Sequence, residues 1–199
     1  YSDQSLMASS GIDQSALSTG GPSTENYEAE GGEAIMHPEG GQPATTGNLE
    51  EVTSNVSMLE GASHEQGGEE VTGEGEQYVF SKKLRSDTWK KTFADAAETI
   101  AKNIEKFEKV STEEDSDEIT KSTANAMIQS WTQKLMELQQ EQETVRKEKF
   151  MDMMNNGAPA EELQQSFPDL YEQFMQEQAL QEQAQLQGAQ GNMEQEAQM

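Results

Sequence analysis

The stretch SDTWKKTFADAAETIAKNIEKF, residues 86–107, decides the fold. Its apolar residues Trp89, Phe93, Ala96, Ala97, Ile100, Ile104 and Phe107 recur every three or four positions, the spacing of one helical face. Ser86 or Asp87 can cap such a helix by accepting hydrogen bonds from its first backbone N–H groups. The polar run Ser111 to Asp117 then interrupts the stripe and has the length of an ordinary helix–helix connection. Beyond it Ile128, Trp131, Leu135, Leu138 and Val145 again step by three and four, with Gln142 in the slot between the last two. Two amphipathic helices joined this closely predict an antiparallel hairpin, residues 77–150, with the tryptophan-bearing stripes buried. One hairpin buries little apolar area, so the expectation is a helical unit ordered by docking into an assembly.

Outward from the hairpin the composition turns against a large core. Hydrophobic residues make up 32% of the 199 and the formal charge is -25. Every Lys and Arg lies between Lys82 and Lys149. Residues 1–81 carry fifteen Asp and Glu and no base, residues 82–149 carry a net -1, and residues 150–199 carry nine acids and no base. Such a polyanion is repelled by phosphate backbones and anionic lipids, so neither direct nucleic-acid binding nor membrane binding is expected. Lys82, Lys83, Arg85, Lys90 and Lys91 form its single basic run.

Residues 1–76 read as an acidic, glycine-rich extended arm with at most short strands or turns, because neither period-2 nor period-3.6 patterning persists there. Gln77 to Ser81 is the most strand-like piece. Past Lys149, Met151 to Gly157 should close the second helix, Pro159 should open a short one, and Phe167-Pro168 should interrupt it. A Gln/Glu-rich helix from Asp169 then fades into a tail over residues 187–199, which makes 151–199 a Met/Gln-rich third segment. The whole is expected to be mainly α with extended, disordered arms. The chain opens at Tyr1 rather than at methionine, and is expected to be a processed product or part of something longer.

No chemistry-bearing constellation stands out. Cysteine is absent, which removes disulfides, thiolate metal sites and cysteine nucleophiles. His37 and His64 have no second ligand at metal-binding spacing, and the acidic run from Glu113 to Glu118 lacks the regular oxygen spacing of a calcium loop. Neither Glu30-Gly31-Gly32-Glu33 nor Glu65-Gln66-Gly67-Gly68 is followed by the lysine a phosphate cradle needs. No apolar run approaches bilayer length. The expectation is a soluble, non-enzymatic protein without cofactor, metal or catalytic residues.

Three blocks carry a resemblance. They are Glu28 to Ile35, which contains Glu30-Gly31-Gly32-Glu33; Ser63-His64-Glu65-Gln66-Gly67-Gly68 leading to Gly75 through Leu84, with Phe80 at its centre; and Thr92 to Asp95. Over roughly residues 28–107 the chain resembles a module of virion structural proteins in large tailed bacteriophages, the crAss-like group. Here the clearest Gly-Gly-Glu block precedes the histidine block, the reverse of the family's order, as two diverged copies of a glycine-hairpin unit would give. The resemblance implies a structural protein of an internal, cargo, neck or tail position, assembled in the host cytoplasm and bound to other virion proteins in many copies. A transient scaffold and an acidic regulator or DNA mimic are the competing expectations from composition.

Overall fold

The computed structural model describes residues 20–23, 26–37, 48–53, 55–61, 69–72 and 77–196. Seven strands precede four helices: β1 Gly21–Ser23, β2 Asn26–Ala29, β3 Ala34–Met36, β4 Asn48–Thr53, β5 Val56–Glu60, β6 Glu69–Thr72, β7 Gln77–Phe80, α1 Phe93–Thr112, α2 Glu118–Asn155, α3 Ala160–Ser166 and α4 Pro168–Glu196. Five strands form an antiparallel sheet in the order β1-β7-β3-β5-β4, and β2 pairs with β6 in a separate ribbon.

Side chains alternate across a strand, so the inner strands of the sheet serve two cores. Ala34 and Met36 of β3, Val56 and Met58 of β5, and Tyr78 and Phe80 of β7 face α1 and α2. Between them Ile35, Leu59 and Val79 point the other way, where Tyr27 and Ala29 of β2 and Val71 of β6 cover them. The result is a three-layer α+β body of ribbon, sheet and helical hairpin. Four helices make up most of the described residues, as the expected mainly-α fold has it, while the expected extended arm is corrected to the strands of a sheet. Residues 1–76 supply six of the seven strands, and their scattered hydrophobes Tyr27, Ala29, Ala34, Ile35, Val56, Leu59 and Val71 are buried. β7 is hydrogen-bonded to β1 on one side and β3 on the other, so one folded unit runs across residue 76.

α1 packs chiefly on α2, and the five residues between them make the pair antiparallel. α1 starts later than Ser86 or Asp87. Its N-cap is Thr92, whose Oγ1 accepts the Asp95 N–H at 3.1 Å. Residues 86–91 instead form a loop closed by Ser86 N–H to Lys91 O at 2.9 Å and Lys90 N–H to Ser86 O at 3.0 Å. Lys90 has φ 58, a left-handed turn that a helix cannot pass through. Trp89 therefore sits on the loop and not on the helix.

α2 begins on Asp117, whose carboxylate accepts the Thr120 N–H, and ends where Gly157 takes φ 77. There Gly157 N–H and Ala158 N–H bond to Met154 O and Met153 O, the paired pattern that closes a helix at a left-handed glycine. Pro159 precedes α3, and Pro168, which has no N–H to lose, opens α4. α3 and α4 fold onto the end of α2 through a third core of Phe150, Leu163, Phe167 and Leu170. α4 runs on to Glu196, past the point where the sequence suggested a tail; residues 197–199 lie outside the described ones.

Candidate interaction surfaces

Gln142 occupies the α2 slot between Leu138 and Val145, and it is fully buried. Its Nε2 donates to Val79 O at 2.9 Å and its Oε1 accepts Ser81 N–H at 3.0 Å. One amide thus continues the hydrogen-bonding of β7 after the strand ends. One turn on, Arg146 is 0% exposed. Its Nη1 donates to Glu143 Oε1 at 2.7 Å, and its two terminal nitrogens hold Asp169 at 3.1 and 2.5 Å in a bidentate pair. Tyr78 O–H donates to the same Glu143 oxygen at 2.8 Å. Burial opposes charge on Arg146, and the Asp169 and Glu143 carboxylates outweigh it, so its pKa rises and it stays a cation. Burial and the Glu143 carboxylate both push the Tyr78 hydroxyl upward. A Cβ on Gly21 would overlap the guanidinium, so β1 reaches Arg146 only as glycine. This joint ties β1, β7, α2 and α4 together.

The Trp89 loop is organised by another α2 residue. Ser86 Oγ donates to the Glu141 carboxylate at 2.8 Å, Thr88 N–H donates to it at 3.2 Å, and Trp89 N–H donates to Ser86 Oγ at 3.0 Å. Trp89 and Trp131 lie 6.4 Å apart, tilted, both half-buried against the helical core. Lys134 Nζ sits 3.9 Å above the Trp131 ring, a cation–π contact. Arg85, Lys90 and Lys91 are exposed around them, with Arg85 Nη2 donating to Lys90 O at 3.0 Å. Lys82 and Lys83 of the same basic run are instead tied to Glu30 at 3.3 and 3.0 Å.

That pairing belongs to the Glu30-Gly31-Gly32-Glu33 turn, which carries the chain from the ribbon strand β2 to the sheet strand β3. Glu33 N–H bonds to Glu30 O at 3.1 Å, Gly32 N–H to Leu59 O at 2.6 Å, and Lys82 Nζ to Gly31 O at 2.7 Å. Glu33 is fully buried with Oε2 accepting Glu30 N–H at 3.0 Å. Desolvation pushes its carboxyl up to about 8, with the Glu30 charge adding to the rise against that hydrogen bond and the two lysines. Burial thus favours its protonated form well above the usual carboxylate range. On the opposite end of β3, burial lowers the pKa of His37, whose Nε2 meets Ser57 Oγ at 3.2 Å.

Of the residues singled out as the packing face, Phe93, Ile100, Ile104, Leu135 and Leu138 are buried in one cluster. Trp89, Ile128 and Trp131 pack on its border. Phe107 is half-buried, with Lys106 Nζ 5.9 Å from its ring. Phe80 is buried on the same side of the sheet. His64, Glu65, Gln66, Gly67 and Gly68 lie outside the described residues. Tyr78, Arg146 and Asp169 escaped the sequence reading; the signal for them was a second polar residue, Arg146, four positions after Gln142 on the buried stripe. Among the described residues no group of three or more His, Cys, Asp or Glu could hold a metal ion, and no helix is long and apolar enough to cross a membrane.

α4 is the last surface. Asp169 meets Arg146 and Phe174 meets Phe150, with ring centroids 6.1 Å apart. Phe150 also meets Phe167, so the first turns of α4 are anchored at the end of α2 around Arg146 and Phe150. α2 stops at Asn155 and α4 continues to Glu196, about 33 Å beyond Phe174 at 1.5 Å per residue. Every described side chain from Met175 to Ala184 is exposed, including Met175 at 46% and Leu180 at 66%. No family model, curated protein or solved structure matches the chain.

Proposed function

We propose that the protein is a structural, non-enzymatic component of a multi-copy assembly, a tailed-phage virion, in which a folded body presents a bare acidic helix to its neighbours. The observation that carries this reading is the stretch of α4 from Met175 to Ala184, whose described side chains are all exposed. A single helix with no tertiary cover is marginal in water, so a chain that keeps one gains its order from a partner. Exposed Met175 and Leu180 supply adaptable apolar contacts, and six acids between Asp169 and Glu196, without one base, set the sign of what it meets. The resemblance of residues 28–107 to phage structural modules supports the virion as the setting, at an internal, cargo, neck or tail position. Its partners there are other virion proteins, and its charge keeps it off packaged DNA.

The test is quantitative mass spectrometry of purified mature particles, following peptides from residues 82–149 against the major capsid protein. A fixed copy number per particle is the expected result. Peptides found in infected-cell lysate but lost from mature particles would replace this reading with that of a transient scaffold.

A further inference from the structure

The molecule is electrically lopsided along its length. The basic run of residues 82–91 holds five bases and one acid, while residues 150–199 hold nine acids and no base. Arg85, Lys90 and Lys91 are exposed about the Trp89–Trp131 pair, where Lys134 adds a fourth cation. Asp87 stands exposed beside Lys90 at 3.8 Å, and the Glu141 carboxylate is taken up by Ser86 and Thr88. The two half-buried indoles and the exposed loop cations together make an amphipathic surface. Its complement in sign and character is the exposed part of α4, with Glu177, Met175 and Leu180.

The two surfaces of one molecule are kept apart by geometry. Trp131 lies nineteen residues before Phe150 on α2, about 28 Å along the helix. Phe174 meets Phe150, and Leu180 lies only six residues further on, about 9 Å along α4, too short a reach to bring it to Trp131. Arg146 and the Phe150, Phe167 and Phe174 contacts hold the start of α4 at that end of α2. Folding back would break a buried bidentate ion pair and the third core together.

We propose that the chain binds a second copy of itself head to tail, the exposed length of α4 of one molecule seating on the Trp89–Trp131 surface of the next. This rests on the reading of the protein as a multi-copy assembly component, and it names the first partner as the chain itself. Two different patches meet, so the contact is heterologous and repeats: each bound copy offers a fresh α4 and a fresh tryptophan surface, giving rings or open chains. Symmetric α4–α4 pairing would place acid against acid without a base to relieve it. Indole faces next to Lys134 take up methionine and leucine, and the loop cations set direction and encounter rate.

The test is sedimentation velocity of the full chain over a range of concentrations at about 25 mM and about 500 mM salt, with two charge-altered variants. Wild type should form species larger than a dimer at low salt, weakened at least about tenfold at high salt. Lys90→Glu with Lys91→Glu removes the receiving surface, and Glu177→Lys with Leu180→Ser removes the donating one. All four positions are exposed, so circular dichroism should match wild type. Each variant alone should stay monomeric, and an equimolar mixture should give a capped dimer, because one partner keeps an intact helix and the other an intact surface. A monomeric wild type at low salt, a salt-insensitive dimer, or a mixture that stays monomeric would each overturn the proposal. A monomer that is still present at fixed copy number in mature particles would remove self-association and leave the structural role standing.

Discussion

The sheet body and the α3–α4 extension draw on the same acidic, hydrophobe-poor chain, yet they solve the problem of stability in opposite ways. In the body β3, β5 and β7 alternate between two covers, so that few hydrophobes suffice to build a core on both faces of the sheet. In the extension a four-residue core of Phe150, Leu163, Phe167 and Leu170 anchors the start of α4, and the described side chains from Met175 to Ala184 are exposed. A body that closes on itself and an extension that does not is the arrangement the proposed assembly subunit requires. Arg146 joins the two.

Breaking that joint should have the largest effect. Arg146→Ala leaves Asp169 and Glu143 facing each other without their cation, and should cost roughly 3–5 kcal/mol in urea unfolding. Limited proteolysis should then cut α3–α4 away while the sheet survives. Phe167→Ala sharpens the contrast from the other side. It should remove about 3 kcal/mol from the extension, visible as lost hydrogen-exchange protection in α3 and the first turns of α4, with β3, β5 and β7 unchanged.

Glu33 gives the body a pH signature. Its carboxyl holds a proton up to about 8 in the folded chain, against an ordinary value of 4.5. Between those values the folded state binds more protons than the unfolded one, so this group's contribution to stability falls as pH rises from about 4.5 to about 8. Glu33→Gln keeps an acceptor for Glu30 N–H and abolishes the titration. It should match wild type at pH 4 and exceed it by roughly 2–4 kcal/mol at pH 8, measured by denaturant midpoints at each pH. An unchanged pH slope would mean that Glu33 is ionised in the fold. The smallest effect belongs to Leu180→Ser, which should change stability by less than about 0.5 kcal/mol because the side chain already meets water. Its consequence should appear only in assembly.

The helical half was readable because its signals are local. Phe93, Ile100, Ile104, Leu135 and Leu138 repeat within one window, and Gly157, Pro159 and Pro168 punctuate helix ends by their backbone requirements alone. The sheet hid because its strands are three to six residues long and each gives a core only one or two side chains, such as Ile35 or Val71. Pairings such as Gly21 with Val79 and Tyr27 with Val71 join distant parts of the chain, which no short window contains. At the candidate surfaces Trp131 was visible on its stripe, whereas Trp89 was carried off the helix by the left-handed Lys90 and the tertiary bonds of Glu141. The fully buried Arg146 contradicted its own residue type, and it takes Asp169, twenty-three positions away, together with Glu143 to explain it.

The central claim is that the body is complete alone and that α4 is completed by a neighbour. Hydrogen-exchange mass spectrometry on the full chain, dilute at high salt and concentrated at low salt, tests it most directly. The account predicts that β3, β5, β7 and α1 are protected in both conditions, while α4 beyond Met175 exchanges rapidly when dilute and becomes protected on concentration. An α4 as protected as β7 in the dilute monomer, or sheet strands that exchange as fast as α4, would contradict it.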